Sequence, residues 1–118
     1  MPQPRRLRPH DVEAGAAIQN GLRLALTLLK SEPKPEVVVF LMADAVIAAK
    51  TAQKTPDGYY NIERMLKGVS AGGGRILLCC TCMDARGLTD AEIMPVAHRS
   101  TMQELAETTL AADKVLVF

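Results

Sequence analysis

A chain of 118 residues fits one domain, because a second core would leave each half too small to be stable alone. Its 48% hydrophobic and 23% charged residues exclude disordered, collagen-like and coiled-coil classes. A net charge of +1 and only Phe40, Tyr59, Tyr60 and Phe118 as aromatics argue against the positive field and stacking platform that nucleic-acid binding requires.

The N-terminus, MPQPRRLRPH, has no apolar segment behind its arginines, so it does not read as a secretory signal. Its prolines oppose an amphipathic transit helix. No run approaches the ~18 apolar residues of a membrane-spanning helix. No membrane association and a cytoplasmic location are therefore expected.

From Asp11 to Lys30, Ile18, Leu22, Ala25 and Leu29 form one stripe at helical spacing and predict an amphipathic helix. After a Pro-rich loop, EVVVFLM (Glu36 to Met42) reads as a strand buried on both faces, as in a parallel sheet covered by helices. Asp44 is placed to cap a short helix over 45–52, and TPDGYY (Thr55 to Tyr60) is turn chemistry. Asn61 caps the next predicted helix, carrying Ile62, Met65, Leu66 and Val69, which stops at Gly72, Gly73 and Gly74. RILLCC (Arg75 to Cys80) predicts a second strand. Thr89 and Glu92 make a capping-box pattern before a brief helix that Pro95 ends. A last helix opens at Ser100 or Thr101 and runs to about Ala112, and KVLVF (Lys114 to Phe118) predicts a final short buried strand. This alternation implies a parallel sheet with helices on both faces. Ligands bind such sheets beyond the strands' carboxyl ends, so Met42 to Asp44 and the cysteines should share one edge.

Cys79, Cys80 and Cys82 lie within LCCTCMDARGL (Leu78 to Leu88), a spacing too tight for a disulfide framework joining distant segments. A cysteine where a strand passes into a loop can be partly exposed, and Arg86 with nearby N–H groups would favour its thiolate, the form that accepts sulfur or attacks a disulfide. The other reading is packing, since free cysteine is among the most buried residue types. Cys79 and Cys80 point to opposite faces of a strand. Cys79-x-x-Cys82 is a dithiol spacing, but MDARGLTD is expected to separate it from the next helix, removing the helix start that activates such a pair. Two cysteines on opposite faces do not converge on one ion. No metal or other cofactor is expected, and His10 and His98 read as solvated surface residues.

FLMADAV (Phe40 to Val46), GYYNIERML (Gly58 to Leu66), LCCTCMDARGL and LAADKVLVF (Leu110 to Phe118) together resemble the YchN-like branch of the DsrE/DsrF-like family, in register from about Asn20 onward. The resemblance implies a three-layer α/β sandwich with a mainly parallel sheet between helices, and a homotrimer or homohexamer. It also implies an apolar strand ahead of the first helix, where this chain has PQPRRLRPHDVEAG. Prolines and arginines do not make a buried central strand, so the first strand is expected to be atypical or missing and residues 1–12 of the single 1–118 domain irregular. Relatives in sulfur-relay complexes carry a persulfide on a cysteine that matches Cys79, and Cys82 matches a second cysteine common in the branch. The resulting expectation is a small thiol protein that accepts or transfers sulfane sulfur, a sulfurtransferase-like carrier with a donor or acceptor protein as partner. Its site comprises Cys79 and Cys82, with Met42, Asp44, Tyr60, Asp84 and Arg86 around the pocket. The rival expectation is a non-catalytic oligomeric protein that binds a small ligand or acts as a scaffold.

Overall fold

The computed structural model describes residues 14–51 and 62–118. The expected turn at Thr55 to Tyr60, the cap at Asn61, pocket residue Tyr60 and the atypical N-terminal segment lie outside the described residues.

Helix α1 spans Ala14–Leu28; of the stripe that its sequence spacing predicts, Leu22 and Ala25 are buried on the helix, Leu29 is buried just beyond its end and Ile18 is half-buried. Strand β1, Val38–Leu41, leads into a 3-10 helix over Ala43–Ala49. The N-cap of that helix is Met42, and Asp44 lies inside its first turn, which corrects the expectation that Asp44 would cap it. Helix α2, Ile62–Ala71, packs against α1 and ends at the glycines. Strand β2, Arg75–Cys79, is followed at once by helix α3, Cys80–Ala85. A 3-10 turn at Asp90–Glu92, strand β3 at Ala97–Ser100 and helix α4 at Met102–Ala111 complete the elements.

The strands form a parallel sheet in the order β1-β2-β3. The fold is α/β, with this mainly parallel sheet flanked by helices. Phe40 lies beside Leu77, Leu77 beside His98, and Cys79 beside Ser100. Leu66, Ile76, Leu78, Met83 and Met94 are fully buried in one core that joins α2, β2 and α3. Burial of each such side chain contributes ~1.5–3 kcal/mol, so α3 is anchored through Met83 although it is only six residues long.

Three local readings require correction. Residues 80–85 are helical rather than loop, and RILLCC divides at Cys79 into strand and helix. Residues 97–100, where no strand was expected, form β3; as a strand with buried ends and exposed His98 and Arg99, it lacks the apolar run that marks β1 and β2. The terminal KVLVF is neither strand nor buried: Val115, Leu116, Val117 and Phe118 are all more than half exposed. Phe118 meets the helical face at Gly21, where an added Cβ would lie 3.1 Å from its ring.

Candidate functional site

The carboxyl edge of the sheet carries the chemistry. Cys79 is the last residue of β2 and the N-cap of α3, with extended backbone (φ −62°, ψ 116°). Its side chain is 3% exposed, while Cys80 and Cys82 are half-buried and all three are free thiols. The Cys79 sulfur lies 3.2 Å from Thr81 Oγ1. Burial alone would push the Cys79 thiol up, because a thiolate is poorly solvated there. Hydrogen bonds from the Cys82 thiol, the Thr81 hydroxyl and the backbone N–H groups of Cys82 and Thr81 outweigh that and hold it below the ordinary thiol range. These N–H groups belong to the first turn of α3, where they have no helical acceptor. Cys79 therefore has the helix start that the sequence reading denied it.

The other end of α3 explains why a six-residue helix persists here. Gly87 takes φ +64°, the Leu88 N–H donates to Met83 C=O at 2.9 Å, and the Gly87 N–H donates to Asp84 C=O at 3.1 Å. This paired closure, with buried Leu88 on buried Met83, is a Schellman cap. Gly87-Leu88 was the sequence signal for a helix end, overlooked because no cap residue stands ahead of Cys80.

Arg86, the C-cap of α3, reaches back across the edge. Its Nε and Nη2 donate to Asp44 Oδ1 at 3.0 and 2.8 Å, and its Nη1 donates to Cys82 C=O at 3.0 Å. Asp44 follows Ala43, a non-glycine residue at φ +51°, so the chain leaves β1 through a left-handed position that costs ~1–2 kcal/mol. Met42, just before it, is exposed. Asp84 faces away from Arg86 in its pairing: Arg99 Nη1 donates to Asp84 at 3.1 Å, and Arg99 Nε binds Asp90. These bonds raise the Arg99 pKa further, Asp90 acting first and Asp84 second. Sequence reasoning missed Arg99 and Thr81, the former because its partners are 9 and 15 residues away. Glu92 accepts from the Thr89 N–H and hydroxyl, which holds its carboxyl below the usual range. Among the described residues no group of three or more His, Cys, Asp or Glu side chains converges as a metal site, and no helix is long and apolar enough to cross a membrane.

The sequence pattern of the DsrE/DsrF-like family matches residues 9–118. Protein YchN of Escherichia coli K12 is 42% identical over 99 residues, covering 84% of each chain. The uncharacterized protein MK0008 of Methanopyrus kandleri is 32% identical over 97 residues, covering 82% of this chain and 78% of its own. The crystal structure of the Escherichia coli YchN protein superposes with a TM-score of 0.82 at 39% identity, over 95% of this chain and 92% of that one. Family pattern, identity and fold agree, and the chain belongs to the YchN branch of the DsrE/DsrF-like family.

Proposed function

We propose that the protein is a sulfur carrier in which the Cys79 thiolate accepts sulfane sulfur, forms a persulfide and passes the sulfur on. The observation that carries this reading is a buried sulfur surrounded by donors. A structural cysteine in the same 3%-exposed position needs no hydrogen bonds from Thr81, Cys82 and two N–H groups; a nucleophile does. Family membership supports the same chemistry at the level of class. Asp44 and Arg86 act by fixing the frame on which the thiols sit.

Mass spectrometry after incubation of the reduced Cys82→Ser variant, which lacks the neighbouring thiol, with a small-molecule persulfide donor tests this. One added sulfur atom on the Cys79 peptide is expected. A donor that labels a control thiol protein and leaves Cys79 unlabelled rejects the proposal.

Self-association belongs to the same proposal. Met102, Leu110 and Val115 to Phe118 place six large apolar side chains on the surface of the C-terminal quarter, Leu110 at 88% exposure. Exposed apolar side chains concentrated in one segment favour burial against a second copy, which also supports the scaffold reading.

A further inference from the structure

Cys79 and Cys82 occupy one turn of α3, the first as its N-cap and the second in its first turn. The Cys82 thiol and backbone N–H are among the groups that hold the Cys79 pKa down. Residues three apart along a helical turn have α-carbons ~5 Å apart, within the ~4.4–6.8 Å that a disulfide spans. The backbone between them is held at both ends, at Cys82 by the bond from Arg86 to its carbonyl and at Cys79 by pairing of β2 with β3. Cys80, adjacent in sequence, projects away from Cys79 around the helix. The half-buried Cys82 is therefore the nucleophile best placed to reach a group carried on buried Cys79.

We propose, resting on the persulfide reading above, that Cys82 discharges the Cys79 persulfide within the chain and releases the sulfur as hydrosulfide. The Cys82 thiolate attacks Cys79 Sγ. A bond forms between Cys82 Sγ and Cys79 Sγ, the bond from Cys79 Sγ to the sulfane sulfur breaks, and its electron pair leaves with hydrosulfide, which takes up the proton that Cys82 has lost. The two cysteine sulfurs give up two electrons and become a disulfide, and the same two electrons reduce the sulfane sulfur to sulfide. Each cycle then requires a dithiol reductant, which returns Cys79 and Cys82 to thiols by thiol–disulfide exchange. The partner class is thus a reducing dithiol protein or small dithiol, and the product is free sulfide.

The test uses wild type, Cys82→Ser and Cys80→Ser, each reduced, loaded with inorganic polysulfide, freed of excess reagent and alkylated at intervals. Cys82→Ser is expected to keep the added sulfur on Cys79. Wild type and Cys80→Ser are expected to lose it at least ~10-fold faster, at a rate independent of protein concentration, with one hydrosulfide released per site and a Cys79–Cys82 linked peptide; dithiothreitol then restores loading. If wild type retains the sulfur as long as Cys82→Ser does, or the sulfane sulfur moves intact onto Cys82, the discharge step is overturned and the carrier reading stands. If Cys82→Ser takes up no sulfur on Cys79, the carrier reading and the discharge step fall together.

Discussion

Arg86 grips a single oxygen of Asp44 with two guanidinium nitrogens and so ties the turn after β1 to the end of the cysteine helix, across 42 positions of sequence. The pair is partly solvated, the Asp44 side chain at 75% exposure, so its Coulombic part is worth at most ~1 kcal/mol. The bond from Arg86 to the Cys82 carbonyl adds ~1 kcal/mol. Arg86→Gln is expected to lower stability by ~1–2 kcal/mol in urea unfolding, whereas Asp44→Asn, which keeps the Cys82 bond, costs less than ~1 kcal/mol. Equal losses in the two variants would show that the carbonyl contact contributes nothing.

The lowered Cys79 pKa has a sign that can be checked. A thiol whose folded pKa is depressed is ionised at lower pH than in the unfolded chain. Its hydrogen bonds therefore stabilise the fold fully above the unfolded value, and that contribution fades as pH falls through the folded one. Alkylation of Cys79 by iodoacetamide, followed peptide by peptide, should reach half-maximal rate below the ~8.5 of a free thiol. Thr81→Val removes one donor at 3.2 Å and should move that midpoint upward. A midpoint at or above the free-thiol value in wild type would contradict the assignment.

Met83 links stability to the site. It is fully buried and is the residue on which the Schellman cap of α3 closes. Met83→Ala should cost ~2–5 kcal/mol and raise the reactivity of Cys79 by loosening the helix that shields it. Gly87→Ala provides the milder comparison. An added Cβ there meets nothing within 4 Å, so only the left-handed backbone is penalised, by ~1 kcal/mol.

At Gly74 the constraint is contact, not dihedral angle. A Cβ there would lie 2.6 Å from Val69 Cγ1 and 3.1 Å from the Val69 carbonyl. Gly74→Ala is expected to destabilise by ~1–3 kcal/mol. Val69→Ala removes the methyl but leaves the carbonyl, so the double variant should recover part of the loss and show a coupling of ~0.5 kcal/mol or more in a double-mutant cycle.

Light scattering on eluting protein tests the proposed assembly. Wild type should elute above monomer mass, and Leu116→Glu should shift the population toward monomer, because Leu116 is 60% exposed in one chain and would bury a charge in an interface. Wild type running as a monomer at all concentrations would count against association through this face.

How far the fold could be read depended on whether each element states its environment locally. The stripe of Leu22, Ala25 and Leu29 and the apolar runs of β1 and β2 declare burial directly. Strand β3 does not, since Ala97-His98-Arg99-Ser100 is polar at its centre. KVLVF reads as a strand by composition, yet a strand requires a neighbour to pair with, and the described residues supply none beside it. Helix α3 was hidden by the apolar continuity of β2 into Cys80, although Gly87-Leu88 marked where it ends. At the site, the residue types were legible and the partnerships were not: nothing in the order of the chain says that Arg86 takes Asp44 while Asp84 goes to Arg99.

Ala43 is the point where stability and orientation separate. Glycine would adopt its φ of +51° without a Cβ penalty, so Ala43→Gly is a substitution whose local backbone term favours the folded state by ~1 kcal/mol, offset in part by the greater freedom of glycine in the unfolded chain. What alanine supplies instead is a narrower range of directions in which the chain can leave β1, and hence a narrower arc over which Asp44 can meet Arg86. A variant that melts higher yet holds its thiols less uniformly would identify this residue as a stiffener of the sheet edge, kept at the expense of heat resistance.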